Sequence, residues 1–136
     1  MLLLFDKSAI TRVPRDPGAA GIFDQALSQN LVATCVEIAL EILYSARNAK
    51  EYRLQRAWLN EFQWLAGAGD VAELALANQT KLATRGHHRV SPGDLMIAAT
   101  AQHHGAEVVH YDRHFDVIAE VTGQPARWIV PRGSSD

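Results

Sequence analysis

A single-domain α/β fold, with a central parallel sheet flanked by helices, is predicted by three features of this 136-residue sequence. Short apolar runs end in a polar residue, as strands buried on both faces do. Longer helical stretches separate those runs, and parallel strands need such crossovers. No linker and no repeat with a period of roughly 20 to 50 residues divides the chain. A chain this long buries roughly two-thirds of the surface its unfolded form exposes, enough for a core without disulfides or a structural metal.

Residues 2–5, Leu-Leu-Leu-Phe, form the first predicted strand, and Asp6 follows it directly. Pro17 and Gly18 introduce a helix over 19–28, and residues 31–33 make a short second strand. Helices are expected over 36–46 and 51–62; residues 67–69 mark a break, and Asp70 is a plausible N-cap for a helix over 71–84. Ser91-Pro92-Gly93-Asp94 has the form of a capping box with Pro at the first helical position, opening a helix over 95–103. Residues 107–111 are the second long strand, a helix follows over 115–121, and 127–130 form a last short strand. Residues 1–131 constitute the domain, with 132–136 a short flexible tail.

Composition excludes several functions. Fifteen acidic side chains face 13 Lys plus Arg, for a net charge of -2, with 48% hydrophobic residues. That balance fits neither a disordered chain nor a protein that coats nucleic acid by charge alone. The longest uncharged runs, 25–36 and 95–106, fall well short of the ~20 residues that span a bilayer, and the apolar start is too short for a secretion signal. Cys35 is the only cysteine, so no intramolecular disulfide forms, and no paired Cys/His zinc pattern occurs. A reducing, cytoplasmic setting fits these features.

The carboxylates carry the chemistry. In an α/β sheet, ligands bind beyond the carboxyl ends of the strands, where Asp6 and Asp112 both fall. Taken singly, each reads more readily as a helix N-cap; their recurrence at two equivalent edges shifts the balance. Asp94 also has a structural reading, returning a hydrogen bond to Ser91 in the capping box. Glu37 and Glu41, four residues apart in an otherwise apolar helix, share one face and call for a partner or a cation. Carboxylates gathered in one pocket shift upward in pKa unless a cation neutralises them. Mg²⁺ or Mn²⁺ suits an oxygen-only site, and such ions serve phosphodiester hydrolysis.

Four ordered stretches, 3–9, 41–47, 88–99 and 109–116, together with the closing segment 122–128, resemble the PIN-domain ribonucleases, and within them the VapC-type toxins of bacterial toxin-antitoxin pairs. The resemblance runs through essentially the whole chain. It implies a PIN-like fold and a Mg²⁺-dependent endoribonuclease, with Mn²⁺ as a substitute, acting on single-stranded RNA or RNA loops. Its acidic quartet falls on Asp6, Glu41, Asp94 and Asp112. Asp6 and Asp94 match the positions most directly associated with metal, and Ser8 the hydroxyl that supports the first carboxylate. The family pattern selects Glu41 over Glu37. It further implies a homodimer and a small cognate antitoxin that blocks the pocket. Two positions depart from the pattern: Lys7 replaces a commoner small residue, and His114 stands where many relatives carry another Asp. These departures are what an alternative reading would rest on, a catalytically silent PIN-fold module that binds RNA or protein. The other rival, a phospho-acceptor receiver domain, pairs adjacent acids after its first strand, whereas here Asp6 is followed by Lys7.

Arg47, Lys50, Arg53 and Arg56 recur every three residues as a phosphate track or a solvated helix face. Arg47 and Arg113 are the candidate substrate-binding bases. The six histidines read as surface or core-edge residues, with only His114 near the proposed chemistry; Trp58, Trp64 and Trp128 read as core or interface rather than base-stacking platforms. Tyr44 and Leu43 brace the Glu41 helix, and Gly18-Ala19-Ala20-Gly21 lacks the ending of a phosphate-binding loop.

Overall fold

A computed structural model describes residues 1–67 and 69–136. Its five strands lie in one sheet of order β3-β2-β1-β4-β5, every pairing parallel. β1 (Leu3–Phe5) is central because all three of its side chains are apolar and have cover on both faces. It pairs in register with β2 (Val32–Thr34), Leu3 beside Val32, and with β4 (Glu107–His110), Phe5 beside Val109. β3 (Gln63–Trp64) and β5 (Ala126–Trp128) are the edges. The predicted parallel, helix-flanked α/β architecture is therefore the one observed.

Among the described residues seven helices accompany the strands: α1 (Lys7–Ile10), α2 (Pro17–Ser28), α3 (Val36–Tyr44), α4 (Ala49–Leu59), α5 (Gly69–Ala83), α6 (Pro92–His104) and α7 (Arg113–Thr122). Two elements escaped the sequence reading, α1 and β3, because four and two residues are too few to show a period. α5 begins at Gly69, which places Asp70 inside its first turn rather than at the N-cap. The expected 67–69 break spans residue 68, which lies outside the described residues. α6 ends at Gly105, whose φ of 67° a residue with a Cβ would adopt only at a cost.

The core is one continuous body around Leu4, Phe5, Ile38, Val108 and Val109. Phe5, Phe23, Phe62 and Trp58 form an aromatic chain with centroids 4.7 to 5.9 Å apart, as expected of a packing Trp58. Small residues Ala98, Ala99 and Ala101 let α6 approach its neighbours closely, and α5 packs on it through a satellite cluster of Val71, Ala75 and Ala99. Of the core or interface positions expected for the tryptophans, Trp64 does not take the core: it is 40% exposed on the edge strand, where its indole donates to the Leu59 carbonyl and the Arg56 guanidinium lies 5.2 Å over its ring. His110 departs in the other direction. It is fully buried between Phe115 and Trp128, and burial holds its pKa below the usual histidine value. In the last five residues, the Ser135 N–H donates to the Tyr111 hydroxyl, which donates in turn to Asp136 Oδ1. Among the described residues no helix is long and apolar enough to cross a membrane.

Candidate active site

The parallel register brings the carboxyl ends of β1 and β4 to one edge of the sheet. The Asp6 N–H donates to the Val109 carbonyl at 2.9 Å, carrying the ladder one residue past β1. Asp6 then caps α1: its Oδ2 accepts the Ser8 N–H at 3.0 Å and the Ser8 hydroxyl at 2.6 Å. The same Ser8 Oγ accepts the Tyr111 N–H at 2.9 Å, tying the exit of β4 to the exit of β1. Asp6 is thus cap and cluster member at once. Its second oxygen, Oδ1, is buried and has no partner.

Three further acids surround it. Asp112 caps α7 through its Oδ1, which accepts the His114 N–H at 2.9 Å, while its own N–H donates to Nδ1 of buried His110 at 3.2 Å. Asp94 sits in the first turn of α6, where the capping box expected from Ser91 is absent: Ser91 makes no side-chain cap bond. The Asp94 Oδ2 instead lies 3.3 Å from His114 Nδ1. Glu41 projects from α3 toward the same place, its Oε1 3.2 Å from where a Cβ on Gly93 would stand, so Gly93 leaves the clearance that admits it. Glu37 lies instead beside the Cys35 thiol, which burial and that carboxylate push up to about 12.

Electrostatics shows that these groups share one field. Burial, then Ser8's opposing hydrogen bonds, then Asp112's charge act on Asp6, whose pKa is raised overall. Burial first and Asp6 second raise Glu41, against relief from Lys7. Asp94 is pushed up to about 6, chiefly by burial and then by Asp6, with His114 opposing and Asp112 adding. Each direction is that of carboxylates forced together in a poorly solvated pocket.

The structure therefore gathers Asp6, Glu41, Asp94 and Asp112, with Ser8 bridging. Arg113 borders clefts on two sides of them. Arg47, in the α3–α4 connection, is paired with Glu51 at 2.9 Å. His114 is the residue the sequence reading undervalued. Treated there as the loss of a carboxylate, it contributes a ring nitrogen: ligand atoms of Asp94, Asp112 and His114 lie within 4.8 Å of one another. Its signal in the sequence was its position two residues after Asp112, at the start of a helix. His110 gave no signal, since its role depends on burial.

A parallel α/β sheet that collects acids past the ends of its two innermost strands has the layout of a PIN domain, and residues 3–121 match the PIN domain family. Ribonuclease VapC51 of Mycobacterium tuberculosis is 38% identical over 133 residues, covering 98% of this chain and 96% of that protein. Ribonuclease VapC18 of the same organism is 38% identical over 137 residues, with 98% and 99% coverage. The chain belongs to the PIN-domain family and, within it, to the VapC ribonucleases. The fold agrees with that of DNA-bound VapBC from Salmonella typhimurium, at a TM-score of 0.78 and 20% identity over 96% of this chain and all of the other.

Removing one charge from the cluster is expected to stabilise the metal-free protein. Asp94 has a folded pKa of about 6, above the ordinary 3.8, so it adds most to folding below that ordinary value, and the contribution is lost as pH climbs through about 6. In chelator-treated protein near neutral pH, Asp94→Asn should raise the melting temperature by several degrees, on the order of 1–2 kcal/mol after allowance for partial solvation. Thermal melts across pH 4 to 8 should show the gain shrinking toward acid; equal melting of variant and parent near neutrality would contradict the cluster's electrostatics.

Proposed function

We propose that this chain is a metal-dependent endoribonuclease, the toxin of a toxin-antitoxin pair, which hydrolyses phosphodiester bonds of single-stranded RNA or RNA loops. The observation that carries the proposal is the orphaned, buried Oδ1 of Asp6 among three other acids, two of them also raised in pKa. A buried acceptor without a donor, surrounded by like charges, fits a cation. Asp6 and Asp94 would hold it, with Asp112 and His114 beside them. Mg²⁺ suits the carboxylates and Mn²⁺ accepts the imidazole as well. When bound, such an ion supplies Lewis-acid stabilisation of the charge that develops on the phosphate oxygens.

The chain's own residues supply the rest. Ser8 fixes the Asp6 carboxylate by holding Oδ2, which leaves Oδ1 without a hydrogen-bond partner. Glu41, raised in pKa and only half-buried, would orient a water and take its proton as the water oxygen bonds to phosphorus and the phosphorus–oxygen bond to the departing strand breaks. The buried His110 holds the backbone from which Asp112 projects. Arg47 is engaged by Glu51, so of the two candidate substrate-binding bases Arg113 is the one left unpaired, among the described residues, beside the acids.

Beside Glu41, the exposed side chains of Val36, Leu40 and Tyr44 recur every four residues along α3 as an apolar stripe. We assign that face to protein partners, the antitoxin and a second copy of this chain. The reading is that of a protein acting in the cytoplasm.

Incubation of the antitoxin-free protein with single-stranded RNA and Mg²⁺ or Mn²⁺ should yield cleavage, lost by at least about a hundredfold in Asp6→Asn and Asp94→Asn. Equal cleavage by all three proteins would remove the acids from the reaction, and no cleavage by the folded parent would favour a silent binding module. Induction of the chain alone should arrest growth, and co-expression of the small protein encoded beside it should restore growth; toxicity unaffected by that protein would remove the antitoxin assignment.

A further inference from the structure

A cleft of about 360 Å³ opens on the Asp112 side of the acids, bordered by Arg12, Tyr111, Arg113, Trp128 and Arg132. That volume lies within the ~300–1,000 Å³ of typical small-ligand sites. Its three guanidinium groups come from separate parts of the chain: the segment after α1, the first residue of α7 and the segment after β5. Two rest on aromatic rings, Arg12 at 4.4 Å over Tyr111 and Arg132 at 5.7 Å over Trp128. The rings meet edge to face at 5.1 Å, so both arginines share one platform.

What these arginines lack is an anion. Among the described residues none of the three forms an ion pair, whereas Arg47 and Arg127 each have a carboxylate. The Arg12 Nε is buried and has no acceptor. The carboxylates in the lining are Asp112, which belongs to the acidic group, and Asp136, which takes the Tyr111 hydroxyl at 3.1 Å. A guanidinium held on a ring keeps its in-plane N–H donors free. Stacking therefore orients Arg12 and Arg132 without using the donors that recognise a phosphate.

We propose that this cleft is a nucleotide subsite, in which Arg12, Arg113 and Arg132 hold a phosphodiester of single-stranded RNA next to the one cleaved. The proposal rests on the ribonuclease reading and extends it by assigning Arg12 and Arg132. The acids repel a phosphate backbone, and a strand crossing them needs an anion site immediately beyond. The aromatic platform places that site against Asp112 and sets the distance from the held phosphate to the cleaved one.

The test measures binding of a fluorescein-labelled single-stranded oligoribonucleotide by anisotropy in an Asp6→Asn background, where binding is separated from cleavage. Arg12→Ala and Arg132→Ala should each weaken binding about three- to tenfold and flatten the slope of log K against log salt by roughly 0.7. Arg12→Lys keeps the charge without the fork and should lie between; it also guards against misfolding of the alanine variant. Arg127→Ala, whose guanidinium is paired with Glu107 across the sheet edge, is the control and should change neither quantity. With Asp6 restored, Arg132→Ala should raise KM and leave kcat within about twofold, the pattern of lost binding shared by ground and transition states. Cleavage by the parent with affinity and salt slope unchanged in all three arginine variants would overturn the subsite and leave the ribonuclease intact. Arginine-dependent RNA binding by a parent that cleaves nothing would support the subsite while removing the enzyme reading. Loss of antitoxin affinity without loss of RNA affinity would overturn it in favour of a protein-docking surface.

Discussion

Like charges forced together at the end of a buried strand are the constraint around which this molecule is arranged. Asp6 follows the buried central strand of the sheet, and its neighbours in space are three more acids delivered by α3, α6 and α7. Burial raises Asp6, Glu41 and Asp94, and each of the three feels the charge of at least one other acid. An arrangement that costs stability in the metal-free state persists only where the surrounding structure over-determines it. Here the over-determination is visible. Ser8 spends two donors on one Asp6 oxygen and accepts the Tyr111 N–H, so β1 and β4 cannot separate without breaking the support of the acid between them.

The same economy extends outward. Asp6 and Asp112 each cap a helix with one oxygen, so the bonds that terminate α1 and α7 also aim the carboxylates. His110 is buried, its pKa held below the usual histidine value by that burial, and turned so that its Nδ1 receives the Asp112 N–H. Gly93 removes the side chain that would meet Glu41. Lys7 and His114, the two departures from the family pattern, both moderate the field: Lys7 lowers Glu41 and His114 lowers Asp94. They change the charge around the acids and leave the quartet itself in place.

The fold was legible where the chain carries strong periodicity or an uninterrupted apolar run. Leu3-Leu4-Phe5 and the 107–110 segment announced parallel strands, and with them the edge at which a site had to lie. α1 and β3 were invisible because short elements owe their existence to partners, α1 to the Asp6 cap and β3 to its pairing with β2. Ser91 and Asp94 have capping-box spacing, yet the predicted reciprocal bond is missing, since Asp94 is drawn to His114 instead. No local rule anticipates that choice, which is made by an element 20 residues away in sequence. The arginines on Tyr111 and Trp128 were illegible for the same reason. Arg12, Arg113 and Arg132 are scattered in the sequence and become one feature only after β1, β4 and β5 align.

Because unrelieved repulsion organises the site, the most direct measurement is the response of stability to a divalent cation near neutral pH. Thermal melts of the parent with increasing Mn²⁺ or Mg²⁺ should climb steadily, as binding to the folded state alone requires. The same titration of Asp94→Asn should be nearly flat, because the variant has already lost the charge that the ion relieves. A parent whose melting temperature ignores both ions, or an Asp94→Asn protein that responds as strongly as the parent, would contradict a carboxylate cluster built for a cation.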